Sequence, residues 1–358
     1  MADAYPNPLG TDGFDFVEFA APDPALLHGL FKTMGFTAVA KHKRLQATLY
    51  RQGDINFVVT EQPGSFAVEF AKRHGPCAAG FAIRVKSAAQ AAAACKAKGA
   101  KVHPAKSGEL AFRVPVLEGI GGSALYLIDE YGDSNRRGAD FYANDFEYLP
   151  GAPKRPGGLG LTYVDHLTHN VQRGQMATWA GFYERLFNFR EIRYFDIKGV
   201  KTGLLSKAMT SPDGKVRIPI NESADDESQI AEYLRQYDGE GIQHIALHTD
   251  DIYSTVERMR ASGVQFQLTP DTYYEMVDER VPHHGEDLAN MQRLKVLIDG
   301  NPEDEKGKHL LLQIFTQNSI GPIFFEIIQR KGNEGFGEGN FRALFLSIER
   351  DQMRRGVI

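Results

Sequence analysis

The sequence predicts an α+β protein made of four β-α-β-β-β units, paired two and two into two open β-barrel domains. Three observations carry that prediction. A strand-then-helix pattern starts four times, near Phe14, Ala79, Leu161 and Gly241, and a recurring supersecondary unit is the mark of an internally repeated fold. The stretch Leu149-Pro-Gly-Ala-Pro-Lys-Arg-Pro-Gly-Gly-Leu-Gly160 has no periodic apolar signal, so it divides the chain into domains 1–150 and 151–358. With 42% hydrophobic and 24% charged residues over 358 positions, the chain has ordinary globular composition and enough length for two cores.

In the first unit, Phe14–Ala20 alternates as a strand does. Ala21-Pro-Asp-Pro then opens a helix with Leu26, Leu27, Leu30, Phe31 and Met34 on one face, stopped by Gly35. Strands follow through Ala38–Tyr50 and Ile55–Val59, with Arg51-Gln-Gly-Asp54 as a turn. The second unit has a strand at Ala79–Val85, an Ala-rich helix at Ser87–Lys98, and strands near Val102, at Leu110–Val116 and at Ala124–Asp129. The third has a strand at Leu161–Asn170, a helix at Met176–Phe187, and strands through Glu191–Ile197, Gly203–Met209 and Lys215–Pro219. The fourth has Gly241–His248, a helix at Asp251–Ala261, and strands at Leu310–Thr316 and Ile323–Gln329. Each pair of units is expected to form a cup whose concave face holds a ligand.

Composition removes several function classes. A net charge of −5 offers no basic surplus for nucleic acid or anionic membrane. No apolar run approaches membrane-spanning length, and the first residues lack a basic region followed by an apolar one. A cytoplasmic location is expected, with no membrane partner. Cys77 and Cys95 are too few for a disulfide framework or a thiolate metal site, which leaves imidazole and carboxylate as the available metal chemistry.

Superposing the two halves isolates three differences. Asp15-Phe-Val-Glu-Phe19 lies on Asp165-His-Leu-Thr-His169, Gly80-Phe-Ala-Ile on His244-Ile-Ala-Leu247, and Leu125-Tyr-Leu-Ile128 on Phe325-Glu-Ile-Ile328. His166, His244 and Glu326 therefore replace Phe16, Gly80 and Tyr126, all on core strands. Glu326 sits in the stretch Gly321–Gly332, which reads as a buried strand with six apolar residues, where an unpaired carboxylate costs several kcal/mol and so calls for a cation, a metal or a proton. An Arg or Lys partner, or a half-exposed strand, accounts for Glu326 taken alone; three coincident replacements favour a metal. Two histidines and one carboxylate suit a non-haem Fe(II) site with open positions. Mn(II) fits the same donors, whereas structural zinc usually takes four.

The other histidines read as structural or solvated. His169 is three residues from His166 and faces the opposite side of a strand. His248 falls near Asp250 and Asp251 as a surface residue, and His283, His284 and His309 lie in polar segments. His28, His42, His74 and His103 belong to the half without the three replacements.

Paired units with metal ligands on three strands resemble the vicinal oxygen chelate superfamily. Within it, Asp165-His-Leu-Thr-His-Asn170, Ile218-Pro-Ile-Asn-Glu222, Gly241-Ile-Gln-His244, Leu312-Gln-Ile-Phe315, Phe324–Arg330 and Gly335–Phe341 resemble the 4-hydroxyphenylpyruvate dioxygenase family, over essentially the whole chain. The resemblance implies one Fe(II) per chain on His166, His244 and Glu326. It implies conversion of 4-hydroxyphenylpyruvate and O2 to homogentisate and CO2, an early step of tyrosine breakdown. It places Ser206, Asn221, Gln243 and Gln313 in the catalytic group, and Gln229, Phe315, Phe324, Phe336, Asn340 and Phe341 around the substrate. A 2-oxo acid fills two open metal positions and leaves one for O2, and phenylalanine walls keep water from a reactive oxidant. A homo-oligomer, dimer or tetramer, is expected, with the N-terminal half in a structural role.

Gly332–Asn340 holds four glycines and precedes Phe341–Arg354, which reads as an amphipathic helix with Asn340 as N-cap. That arrangement resembles a lid over the pocket. Three other activities compete. 4-Hydroxymandelate synthase uses the same substrate, but its family pattern has an aliphatic residue near Phe315. A ring-cleaving catechol dioxygenase usually needs an additional histidine, and a metal-free ligand-binding module predicts no bound iron.

Overall fold

The computed structural model describes residues 3–106, 108–131, 141–198, 203–226, 228–300, 309–340 and 343–344. The N-terminal half forms one eight-stranded sheet. Its strands are β1 (Phe14–Ala20), β2 (Thr37–His42), β3 (Ala47–Gln52), β4 (Ile55–Thr60), β5 (Cys77–Arg84), β6 (Val116–Glu118), β7 (Ala124–Ile128) and β8 (Phe146–Tyr148), in the order β6-β7-β5-β1-β4-β3-β2-β8. The C-terminal half forms a second, from β9 (Leu161–Val171), β10 (Arg190–Lys198), β11 (Gly203–Thr210), β12 (Arg217–Ser223), β13 (Gly241–Thr249), β14 (Leu297–Gly300), β15 (Leu310–Phe315) and β16 (Phe324–Lys331), in the order β10-β11-β12-β9-β13-β16-β15-β14. Removing β8 and β14 leaves the same seven-strand path in each.

Registers make the repeat exact to the residue. β1 sets Glu18 opposite Gly80 and β9 sets Thr168 opposite His244, while the parallel pairs set Ala82 opposite Tyr126 and Ala246 opposite Glu326. In both halves the outer strands flanking the central antiparallel pair are parallel to their neighbours and are reached by crossover connections.

Local chemistry places the helices. Asp23 and Asp251 accept hydrogen bonds from the first-turn amides of Pro24–Thr33 and Ile252–Ala261, and Asn188 closes Met176–Phe187 in the left-handed conformation. Ser65 and Ser228 cap two helices absent from the expected element list, Phe66–His74 and Gln229–Tyr237. Short helices between 271 and 294, and the strands β8 and β14, were also not anticipated.

Three expectations are corrected. Leu110–Val116 is not a strand: only Val116 enters β6, and Leu110, Ala111 and Phe112 form a loop whose side chains enter the N-terminal cup. Asn340 does not cap the terminal helix, because residues 338–340 are already helical. His248 is buried, its ring stacked on Tyr163 and its Nδ1 2.8 Å from the Thr162 hydroxyl. Phe341, and nearly all of the expected helix Phe341–Arg354, fall outside the described residues.

One hydrophobic cluster joins the sheets, taking in Phe57, Phe81 and Leu127 from one half and Leu167, Ile245 and Phe325 from the other. The rings of Phe57 and Phe325 lie 6.0 Å apart. Fully buried Gln52 of β3 accepts from the Leu159 and Leu161 amides, which fastens the connecting segment to the first sheet.

Candidate metal centre

β9, β13 and β16 are adjacent, so His166, His244 and Glu326 meet on one face at the middle of the second sheet. His166 Nε2 lies 3.3 Å from His244 Nε2 and 3.3 Å from Glu326 Oε2, and His244 Nε2 lies 3.4 Å from the same oxygen. These atoms form a nearly equilateral triangle. An edge of about 3.3 Å divided by √3 gives about 1.9 Å from centre to corner, so a cation with bonds of about 2.0–2.2 Å fits just off the plane. The second carboxylate oxygen, Glu326 Oε1, is buried and has no hydrogen-bond partner among the described residues. Donor chemistry, spacing and an unsatisfied buried oxygen therefore all suit a divalent metal.

Both imidazoles are turned by their neighbours. His166 Nδ1 lies 2.8 Å from Asp165 Oδ1 and His244 Nδ1 lies 2.9 Å from Gln243 Oε1. Donation from each Nδ1 leaves both Nε2 lone pairs toward the centre, the usual way a partner fixes a ligating histidine's tautomer. Burial works against a proton on His166, but Glu326 and Asp165 outweigh it and raise its pKa. On His244 burial prevails and the pKa falls. Burial alone would raise Glu326, yet His166 and then His244 pull it down to about 2. Asp165 is fully buried and still held well below the carboxylate range by Arg330, His166 and Arg217.

A cavity of about 50 Å³ opens beside the triad. Of the residues expected from sequence, Ser206, Asn221, Phe315 and Phe336 line it with His166, His244 and Glu326. Phe324 stacks on the His244 ring at 4.9 Å, and Gln243 holds His244 from behind. Gln313 is buried with Oε1 unpartnered, pressed against Gly337; a Cβ at Gly337 would stand 2.2 Å from Gln313 Nε2. Asn340 is buried and accepts from the Tyr273 hydroxyl, outside the cavity lining. Gln229 is exposed in the first turn of its helix and does not reach the cavity.

Sequence reasoning missed Thr168, Phe195, Leu204, Pro219 and Glu338 in the lining, and Asp165, Arg217 and Arg330 behind His166. Thr168 carried a usable signal: it lies two residues from His166 on the same strand face, and its hydroxyl stands 2.9 Å from His244 Nε2.

Residues 5–147 match the family model "Hydroxyphenylpyruvate dioxygenase, HPPD, N-terminal", and residues 163–277 match "Glyoxalase/Bleomycin resistance protein/Dioxygenase superfamily". A 4-hydroxyphenylpyruvate dioxygenase from Pseudomonas aeruginosa is 60% identical, covering 98% of this chain and 97% of its own length. The chain belongs to the 4-hydroxyphenylpyruvate dioxygenase family. It has the vicinal oxygen chelate fold and is an enzyme of the metal-dependent dioxygenase type. A protein named hemolysin VllY from Vibrio vulnificus is 57% identical, covering 100% of this chain and 99% of that one. The solved structure of a mutant 4-hydroxymandelate synthase from Streptomyces coelicolor superposes with a TM-score of 0.78 at 25% identity, covering 96% of this chain and 99% of that one. No helix among the described residues is long and apolar enough to cross a membrane.

Proposed function

We propose that this chain converts 4-hydroxyphenylpyruvate and O2 to homogentisate and CO2, with one Fe(II) held by His166, His244 and Glu326. The observation that carries the reading is the three-atom triangle inside a family that includes several relatives named 4-hydroxyphenylpyruvate dioxygenase. Bound Fe(II) supplies Lewis-acid binding of the 2-oxo acid and activation of O2.

The protein's own contributions follow from the cavity. Asp165 and Gln243 keep the two Nε2 atoms aimed at the centre. Ser206 and Asn221 face each other across β11 and β12 and offer neutral donors and acceptors for the substrate's phenol or carboxylate without adding charge. Phe315, Phe336 and Phe324 form apolar walls that exclude water from the reacting atoms. Buried Gln313 shares the Phe315 face of β15, and its free carbonyl oxygen is a candidate contact to bound substrate. Gln229 and Asn340 belong to the same reading as residues that reach substrate only through a rearrangement of their segments, and Phe341 as a further substrate contact. The terminal segment then acts as a lid. Residues 1–150 form a structural domain and 151–358 the catalytic one, in a cytoplasmic homo-oligomer.

O2 uptake with 4-hydroxyphenylpyruvate tests the reaction, and product identification by mass spectrometry and NMR tests the outcome. Homogentisate is expected. The similarity to 4-hydroxymandelate synthase makes 4-hydroxymandelate the specific competing product, and its appearance would reverse the assignment. Phe315 on the cavity wall favours homogentisate.

A further inference from the structure

Behind His166 lies a connected set of contacts that the reaction does not itself require. Arg330 forks onto Asp165, donating from Nη2 to Oδ1 at 2.7 Å and from Nε to Oδ2 at 2.8 Å. Its remaining nitrogen, Nη1, donates to the carbonyl oxygens of Asn333 at 3.0 Å and Gly335 at 2.7 Å. Arg217, from β12, donates to Asp165 Oδ2 at 3.3 Å and pairs with Glu334. Phe336, which follows Gly335, sets its ring edge-on to His166 at 5.3 Å and lies under the Arg330 guanidinium at 5.6 Å. The contacts close a ring: His166 to Asp165, Asp165 to Arg330, Arg330 to Gly335, and Phe336 back to His166.

The internal repeat provides a control for the plain reading that Asp165 is only scaffold. Its counterpart Asp15 is also buried, and takes Arg84 and the Tyr142 hydroxyl as donors. A buried aspartate at this register therefore belongs to the fold. The C-terminal half differs in what the aspartate joins. On one side it takes the Nδ1 of a metal-site histidine, and on the other its two arginines hold the segment that carries Phe336 and Glu338 to the cavity.

We propose that Asp165, Arg330 and Arg217 are positioning residues that tie segment 333–336 to the imidazole of His166, so that metal binding at Nε2 and seating of that segment stabilise each other. The coupling is reciprocal, as any linkage between two binding equilibria must be. Metal fixes the imidazole, which fixes the Asp165 carboxylate and hence the fork that grips the segment. A displaced segment frees Arg330 to turn, and the imidazole loses its guide. The proposal rests on the metal-centre reading and adds a dependence on residues that touch neither metal nor substrate.

The test is anaerobic titration of the full-length metal-free chain with Co(II), whose d–d absorption reports the ligand set, together with amide hydrogen exchange over residues 333–340. In the unsubstituted protein Co(II) binds and slows exchange at Gly335 and Phe336. In Arg330→Met, Co(II) affinity falls by about 10–100-fold, the usual effect of losing a partner behind a metal ligand, and the slowing disappears. Arg330→Lys keeps a cation beside Asp165 but loses the fork, and is expected to recover part of the affinity. Should Arg330→Met fail to fold, Glu334→Gln decides, since it changes a largely exposed side chain and removes the charge that pairs with Arg217 and faces Arg330. It is expected to weaken Co(II) by about two- to fivefold and to raise exchange at Gly335. Folded variants with unchanged Co(II) affinity, or segment exchange indifferent to Co(II) in the unsubstituted protein, would overturn the coupling. An unsubstituted protein that binds no Co(II) removes the metal centre itself, a distinct result.

Discussion

Tyr126 and Glu326 occupy the same register position on the same strand of the two halves, yet their surroundings have diverged. Around Tyr126 the cup is filled: Phe16 packs on Phe112 at 4.4 Å and on Tyr126 at 5.1 Å, and Phe112 stacks on Phe141 at 5.0 Å. Around Glu326 the cup keeps a cavity and three converging donor atoms. Each cup also buries a carboxylate, and their electrostatics run opposite ways. Glu18, the counterpart of Thr168, meets no cation among its hydrogen-bond partners; the Thr60 and Tyr126 hydroxyls serve it, and burial raises its pKa. Glu326 is pulled down by two imidazoles despite equal burial. One backbone plan thus yields a packed core or a cluster of donor atoms able to hold a metal according to a few side chains, which is how function is grafted onto a fold.

The largest expected effect breaks the difference at its centre. Glu326→Ala removes one corner of the triangle, and O2 uptake with 4-hydroxyphenylpyruvate should fall to background while the circular dichroism spectrum stays native. Retained uptake would dissolve the contrast between the cups. Next, the two aromatic sets should fail differently. Phe16→Ala opens a void in the filled cup and should cost about 3–5 kcal/mol of stability, read from chemical denaturation. Phe336→Ala, on the rim of the open cup, should cost under about 1 kcal/mol while lowering turnover.

A smaller effect is expected at Gly80, the counterpart of His244. A Cβ there would stand 2.6 Å from the Ala124 carbonyl oxygen and 3.1 Å from the Tyr126 ring. Gly80→Ala should therefore destabilise by about 1–3 kcal/mol, whereas His244→Ala should leave the metal-free melting temperature nearly unchanged. The smallest effect sharpens the electrostatic side. Because the Glu18 pKa is raised by folding, its favourable contribution is complete below the ordinary carboxylate pKa and is lost as pH rises through the folded value. The melting temperature of Glu18→Gln, relative to the parent, should rise between pH 4 and pH 8. A difference independent of pH would mean that Glu18 is not desolvated.

The repeat and the triad were legible because both are written in local pattern. Strand and helix periodicity marked the four units, and laying one half on the other exposed His166, His244 and Glu326 without knowledge of contacts. Phe112 shows where that stops. Its segment alternates well enough to read as a strand, but the aromatic side chain gains more by plugging a cup built from Phe16, Tyr126 and Phe141, all distant in sequence or on other elements. Arg330 reads as an ordinary charged strand end until Asp165, 165 residues earlier, is placed beside it. Ser228 and the helix it caps were passed over because that helix's apolar stripe, Ile230, Tyr233, Leu234 and Tyr237, is short and flanked by charge. Local propensity fixes elements, and long-range packing decides which side chains meet.

The cluster shared by the two sheets has a thermodynamic consequence. With Phe57 against Phe325 and Gln52 fastened to the connecting segment, neither half ends at a surface suited to water. Cutting the chain at the connection would expose apolar faces on both pieces rather than release two smaller proteins. The filled half thus presents an apolar counter-surface to the open half. Its aromatic plug fills one copy of the repeated fold, while the other keeps a cavity at its centre.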